Sequence, residues 1–191
     1  MADSSSETRN PVQVVIVLVV LAISGIVARL AFQDLPNFSP VAAIALFAGF
    51  YCRDLRIALA LPLIVMAVSD LFIGSYDLVI MIVVYTLMAL PAVFGSHVAK
   101  FSTGGKATPW LFASSLGGSV CFFLGTNLAV FIQSSMYETS VAGLMNCYAL
   151  ALPFFKYTVS GDIIFGCVIF AAYAFACSVL TAKSSEPKVV R

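Results

Sequence analysis

Four residues that can carry charge or donate hydrogen bonds interrupt otherwise apolar runs: Arg29, Asp70, Asn127 and Asp162. An ionisable group at membrane depth is costly and by default points to function. A guanidinium, two carboxylates and a carboxamide can orient a small molecule through charge and hydrogen bonds. They are poorly suited to bond-breaking chemistry. The carboxylates are not closely spaced, and no nucleophile elbow, phosphate loop or zinc-protease motif is present. Around them lie Asp34, Asn37, Phe38, Ser39, Tyr76, Asp77, Tyr137, Glu138, Asn146, Tyr148, Phe155 and Lys156. Aromatic rings mixed with a few amides and charges suit stacking and orientation in a small-molecule pocket. The candidate substrate-binding set is therefore Asn37, Ser39, Asp70, Tyr76, Asn127, Asn146, Tyr148, Lys156 and Asp162. No catalytic residue, metal site or cofactor is expected.

Each of these residues also has a plainer role. Tyr and Phe populate the interfacial aromatic belt. Asp70 and Asp162 can be carboxylates at helix ends, with Arg29 and Lys156 neutralising them. Asn127 can be an interhelical hydrogen bond worth about 1 kcal/mol. Cysteines at 52, 121, 147, 167 and 177 form no CxxC pair, and His97 is the single histidine. A disulfide framework or multi-histidine metal site is not expected. Cys147 alone is placed on the outer side, where a buried thiol is a simpler reading than a soft-metal ligand.

The elements that position these groups must be membrane helices. Of 191 residues, 61% are hydrophobic and 10% charged, with a net charge of +1. The mean hydropathy is +1.04. No basic stripe for nucleic acid is present. The reading is an all-α membrane protein with one six-helix domain over 12–182 and cytoplasmic tails over 1–11 and 183–191. The first eleven residues lack the basic flank of a cleaved signal, and the apolar run after them is long, so the first helix is expected to be retained. Expected spans are 12–32, 41–51, 57–73, 78–98, 110–132 and 157–182. The second is short, with Asn37 or Ser39 as its cap. Residues 140–152 form a separate short helix ending at Pro153, interfacial or re-entrant. Small-residue pairs, Ala45 with Gly49, Ser114 with Gly118 and Ala172 with Ala176, are expected to pack helices within the chain.

Lys and Arg in short loops set orientation. With six spans and both termini in the cytoplasm, the inner side holds Arg9, Arg53, Arg56, Lys100, Lys106, Lys183, Lys188 and Arg191, and the outer side only Arg29 and Lys156. At 1.5 Å per residue, Arg29 lies roughly 25 Å along the first helix, Asp70 about 20 Å along the third and Asn127 roughly 26 Å along the fifth. Asp162 lies about 8 Å below the outer start of the sixth. All four fall in the outer third, and Asp70, Asn127 and Asp162 are expected to share one cavity. The inner half lacks polar groups, so no static hydrophilic path crosses it. Release of a substrate then needs movement of the pocket or of helices. The outer connections QDLPNFSP (33–40), GSYD (74–77) and 133–156 are the expected gates.

The segments NFSPVAAIALFAG (37–49), PLIVMAVSDLFIG (62–74), TNLAVF (126–131) and GLMNCYALALPFFKYTVSGDIIF (143–165) carry a resemblance. They resemble a bacterial family of small six-helix membrane proteins, which is similar to the substrate-binding S components of energy-coupling factor vitamin transporters. The resemblance implies an S-component-like bundle in the bacterial cytoplasmic (inner) membrane, with a ligand pocket near the outer face. It also implies uptake of a vitamin-like micronutrient, alone or with an energy-coupling transmembrane subunit and its ATPases. Docking to that subunit typically uses alanines four apart on the first helix, where this chain has Ser24 and Ala28. Metal-transporting relatives need an N-terminal histidine, which this chain lacks.

The leading expectation is thus a substrate-binding membrane subunit, or solitary transporter, for a small organic ligand. The competing classes are a membrane enzyme acting on a lipid or isoprenoid, with Asp70 or Asp162 as base, and a non-transporting scaffold.

Overall fold

The computed structural model describes residues 10–52, 54–101 and 107–184. These form six helices and no strand: α1 (Pro11–Ala31), α2 (Val41–Tyr51), α3 (Leu55–Ile73), α4 (Leu78–Phe101), α5 (Ala107–Gln133) and α6 (Val141–Ser184). The tails before residue 10 and after 184, Arg53 and residues 102–106 lie outside the described residues. So do five of the eight cations assigned above to the inner side: Arg9, Arg53, Lys106, Lys188 and Arg191.

Local chemistry explains where the helices begin. Asn10 caps α1 by accepting from the Val12 amide at 2.9 Å, and Pro11 occupies the first turn, where no amide is needed. Asp54 caps α3 through the Arg56 amide at 2.8 Å, and Asp77 accepts from the Val79 and Ile80 amides ahead of α4. Five helices are long and apolar enough to cross a membrane: α1, α3, α4, α5 and α6. Their apolar side chains face outward. Val12, Val15, Ile16, Val19, Val20, Ile23 and Val27 of α1 are each at least half exposed, the pattern of helices solvated by lipid.

α2 is different. Every residue in it except Phe50 is buried, and it packs most extensively along α4. Gly49 and Gly95 make that approach possible. A Cβ on Gly49 would collide with the Ala92 carbonyl, and one on Gly95 with the Leu46 carbonyl. Eleven residues extend only about 16 Å, roughly half the hydrocarbon thickness, so α2 is too short to span alone. The cause lies upstream. Val41 sits in a cluster with Val65, Met66, Met88 and Phe122, which is seven residues back from the end of α3 and ten into α4. The connection over 32–40 therefore descends into the bundle before α2 begins. Pro40 is its N-cap residue without a side-chain bond; Ser39 Oγ reaches the Val41 amide only at 3.4 Å. Asn37, instead of capping, turns the chain with φ of 60°.

The largest departure from expectation is α6. Residues 141–184 form one helix of 44 residues, roughly 66 Å long, with no break at Pro153. Proline removes one backbone donor, and membrane helices tolerate that loss. The expected short helix over 140–152 is the first part of α6 because it packs lengthwise on α5. Tyr148 donates to the Leu124 carbonyl at 2.8 Å, and Cys147 Sγ lies 3.5 Å from the Asn127 carbonyl. Only residues 134–140 remain to connect α5 and α6, so the long covering segment expected over 133–156 does not exist. Lower down, Phe170 and Tyr173 of α6 pack edge-on against Phe47 of α2. Ala172 and Ala176 are exposed, whereas Ala45, Gly49 and Gly118 are buried.

Candidate functional site

The descent of residues 32–40 leaves a cavity of about 400 Å³ at the end of the bundle where α1, α3 and α5 finish and α4 begins. The connection contributes Phe32, Gln33, Leu35, Asn37, Phe38 and Ser39. α5 presents Phe122, Phe123, Thr126, Asn127 and Val130, and α6 presents Ala151, Phe154, Phe155 and Thr158. The α6 residues repeat at i, i+3, i+4 and i+7, one face of a continuous helix. Met66, Ile73, Tyr76, Ile80, Val84 and Met88 close the α3–α4 side, and Arg29 enters from α1. Irregular backbone at this depth is tolerated where it lines such a space.

Arg29 is anchored from behind. Its Nη2 donates to Asp70 Oδ1 at 2.6 Å, and Tyr85 donates to Asp70 Oδ2 at 2.8 Å. The two charged side chains are only 15% and 8% exposed. Both Asp70 oxygens are thus engaged, and Asp70 itself does not line the cavity. Tyr76, in the α3–α4 connection, stands close to this pair. Burial, then the Asp70 charge, raise its hydroxyl pKa above the usual 10.0, while Arg29 opposes them. Asn127 donates through Nδ2 to the Phe123 carbonyl at 2.7 Å, and Thr126 to the Phe122 carbonyl at 2.7 Å.

Of the nine expected substrate-binding residues, Asn37, Ser39, Tyr76 and Asn127 line the cavity, and Asp70 reaches it through Arg29. The other four do not. Asp162 is 4% exposed and accepts from Ser119 Oγ at 2.5 Å, one helical turn beyond the cavity residue Thr158. A single cavity shared directly by Asp70, Asn127 and Asp162 is therefore not what the structure contains. Asn146 and Lys156 are exposed, and Lys156 Nζ lies 4.9 Å from the Tyr157 ring centroid. Tyr148 is spent on the Leu124 carbonyl and on Phe123, at 5.7 Å between rings. In an unbroken α6, Asn146 and Lys156 fall off the 151–154–155–158 face, whereas Tyr148 lies on that face one turn before Ala151 and is held by α5 there.

Sequence reasoning gave Arg29 only a neutralising role and passed over Thr126, Thr158, Ser119 and Tyr85. Thr126 and Thr158 carried a usable signal, since each shares a helical face with its neighbouring aromatics. Among the described residues no three His, Cys, Asp or Glu side chains gather as a metal site. The cavity can hold a compact organic molecule between aromatic walls and offer it a guanidinium, a carboxamide and hydroxyls.

No curated protein and no solved structure matches the chain. A family model covers residues 7–185, nearly the whole sequence, and by that match the chain belongs to the family of unknown function DUF6580.

Proposed function

We propose that this protein is a substrate-binding membrane protein for uptake of a small organic, vitamin-like micronutrient, working alone or with an energy-coupling transmembrane subunit and its ATPases. The carrying observation is the cavity of about 400 Å³, built from all six helices or their connections and lined by aromatic and polar side chains. Its volume lies in the usual range for small-molecule sites, roughly 300–1,000 Å³. Around α2 the interior is an apolar cluster that includes Leu21, Ile44, Phe47, Tyr51 and Leu61. One end receives a ligand, and the other offers no polar route onward. That favours capture followed by movement over a fixed pore. The bias of basic residues in the sequence favours both termini in the cytoplasm of a bacterium and the cavity facing outward.

Native mass spectrometry of the protein, purified in mild detergent from its own host, tests this reading. The expected result is one small organic molecule per chain, released on unfolding and lost when Thr126→Trp fills the cavity. A bare-chain mass for wild type under conditions that preserve the fold would overturn it.

A further inference from the structure

Among the described residues Arg29 is the only charged side chain lining the cavity, with no Asp or Glu beside it in the lining. Its guanidinium carries five N–H donors. Among the described residues its one hydrogen bond is that from Nη2 to Asp70. Arg29 lines the cavity, and its nitrogens are not among the buried polar atoms left without a partner, so the donors not spent on Asp70 are open to a ligand there. Asp70 cannot turn to serve a ligand, because Tyr85 holds its second oxygen. The result is a guanidinium fixed from behind, with its donor edge presented to a space walled by Phe32, Phe38, Phe122 and Phe123. A planar donor fork matches a carboxylate in geometry as well as charge. A cationic ligand would meet the guanidinium first, with the Asp70 carboxylate behind it and no acidic side chain among the described lining residues.

From this we infer that the cavity selects an aromatic or similarly flat carboxylic acid, its carboxylate on Arg29 and its ring among the phenylalanines. The inference rests on the uptake reading above and names the class of its substrate. Asp70 is a positioning residue here: it orients Arg29 and does not touch the ligand.

Three probes with one ring system separate the alternatives: naphthoate, naphthamide and naphthylmethylamine, titrated calorimetrically into the full chain in detergent. Naphthoate should bind roughly tenfold or more tightly than the amide, as expected where one neutral hydrogen bond becomes charge-assisted, and the amine should not bind. Arg29→Gln alone strands Asp70 and risks misfolding. The double variant Arg29→Gln/Asp70→Asn keeps a hydrogen-bonded pair without charge. It should unfold near the wild-type temperature and bind acid and amide alike. Equal or tighter binding of the amide or amine to wild type would overturn the inference, as would an acid preference surviving in the double variant. Failure of all three probes would also overturn it. In each case a small molecule retained in native mass spectrometry would leave the uptake reading standing, so the two failures are told apart.

Discussion

Arg29 and Asp70 stand 41 residues apart in the chain and 2.6 Å apart in space. Asp162 is as deeply placed as Asp70 but is served by a serine hydroxyl in place of a guanidinium. The two carboxyl groups should therefore respond differently to one substitution. Asp70→Asn leaves Arg29 charged and unpaired in a mostly buried position, which costs about 3 kcal/mol. Among the described residues no cation pairs with Asp162, and Asp162→Asn keeps an acceptor for Ser119, so the cost should stay under about 1 kcal/mol. Denaturant unfolding of the two variants in the same detergent checks this. A larger loss at 162 than at 70 would show that Asp162 is charged and paired in a way the geometry does not contain. The identities of these groups were legible in the sequence, because each is a polar residue in an apolar run. Their partners were not, since pairing Arg29 with Asp70 requires the parallel register of α1 and α3.

At the scale of elements, legibility followed how local the deciding physics was. α2 was readable at both ends, bounded by Pro40 before and the polar segment CRDLR after. Its burial and its function as the central post were not readable, because they depend on α4 accepting its backbone at Gly49 and Gly95. α6 was misread because proline and a polar stretch are strong local signs of interruption, whereas its continuity comes from packing against α5 over two turns before Pro153. The close α2–α4 contact yields a sharp expectation. Gly95→Leu should destabilise the bundle by several kcal/mol, because the colliding atoms are the Leu46 carbonyl and Phe50 amide and neither can rotate away. Gly117→Leu on α5, where an added Cβ meets nothing within 4 Å, should stay within about 1 kcal/mol of wild type. Paired thermal melts read the contrast directly. Similar losses for both would mean that α2 and α4 separate more easily than their geometry implies.

For the whole molecule, the question is how a ligand enters the proposed site and leaves it. With only seven residues between α5 and α6, that connection is too short to fold over the cavity. The covering parts are the 32–40 connection and the α3–α4 turn at 74–77. Each contains one residue of positive φ, Asn37 at 60° and Gly74 at 106°, and each sends a side chain, Gln33 or Tyr76, into the cavity. Motion of these two segments apart would open the site without disturbing the α2–α4 post beneath it. A cross-link between Cys residues placed at Gln33 and Tyr76 should therefore hold a bound occupant in place. On a background with the native cysteines replaced, the oxidised double-cysteine protein should retain its co-purified molecule through extended washing and take up no second one. Reduction should restore exchange to the rate of the uncross-linked protein. Native mass spectrometry before and after reduction measures both. Free exchange with the cross-link intact would show that the ligand passes between helices elsewhere and that the 32–40 and 74–77 connections form a closed wall.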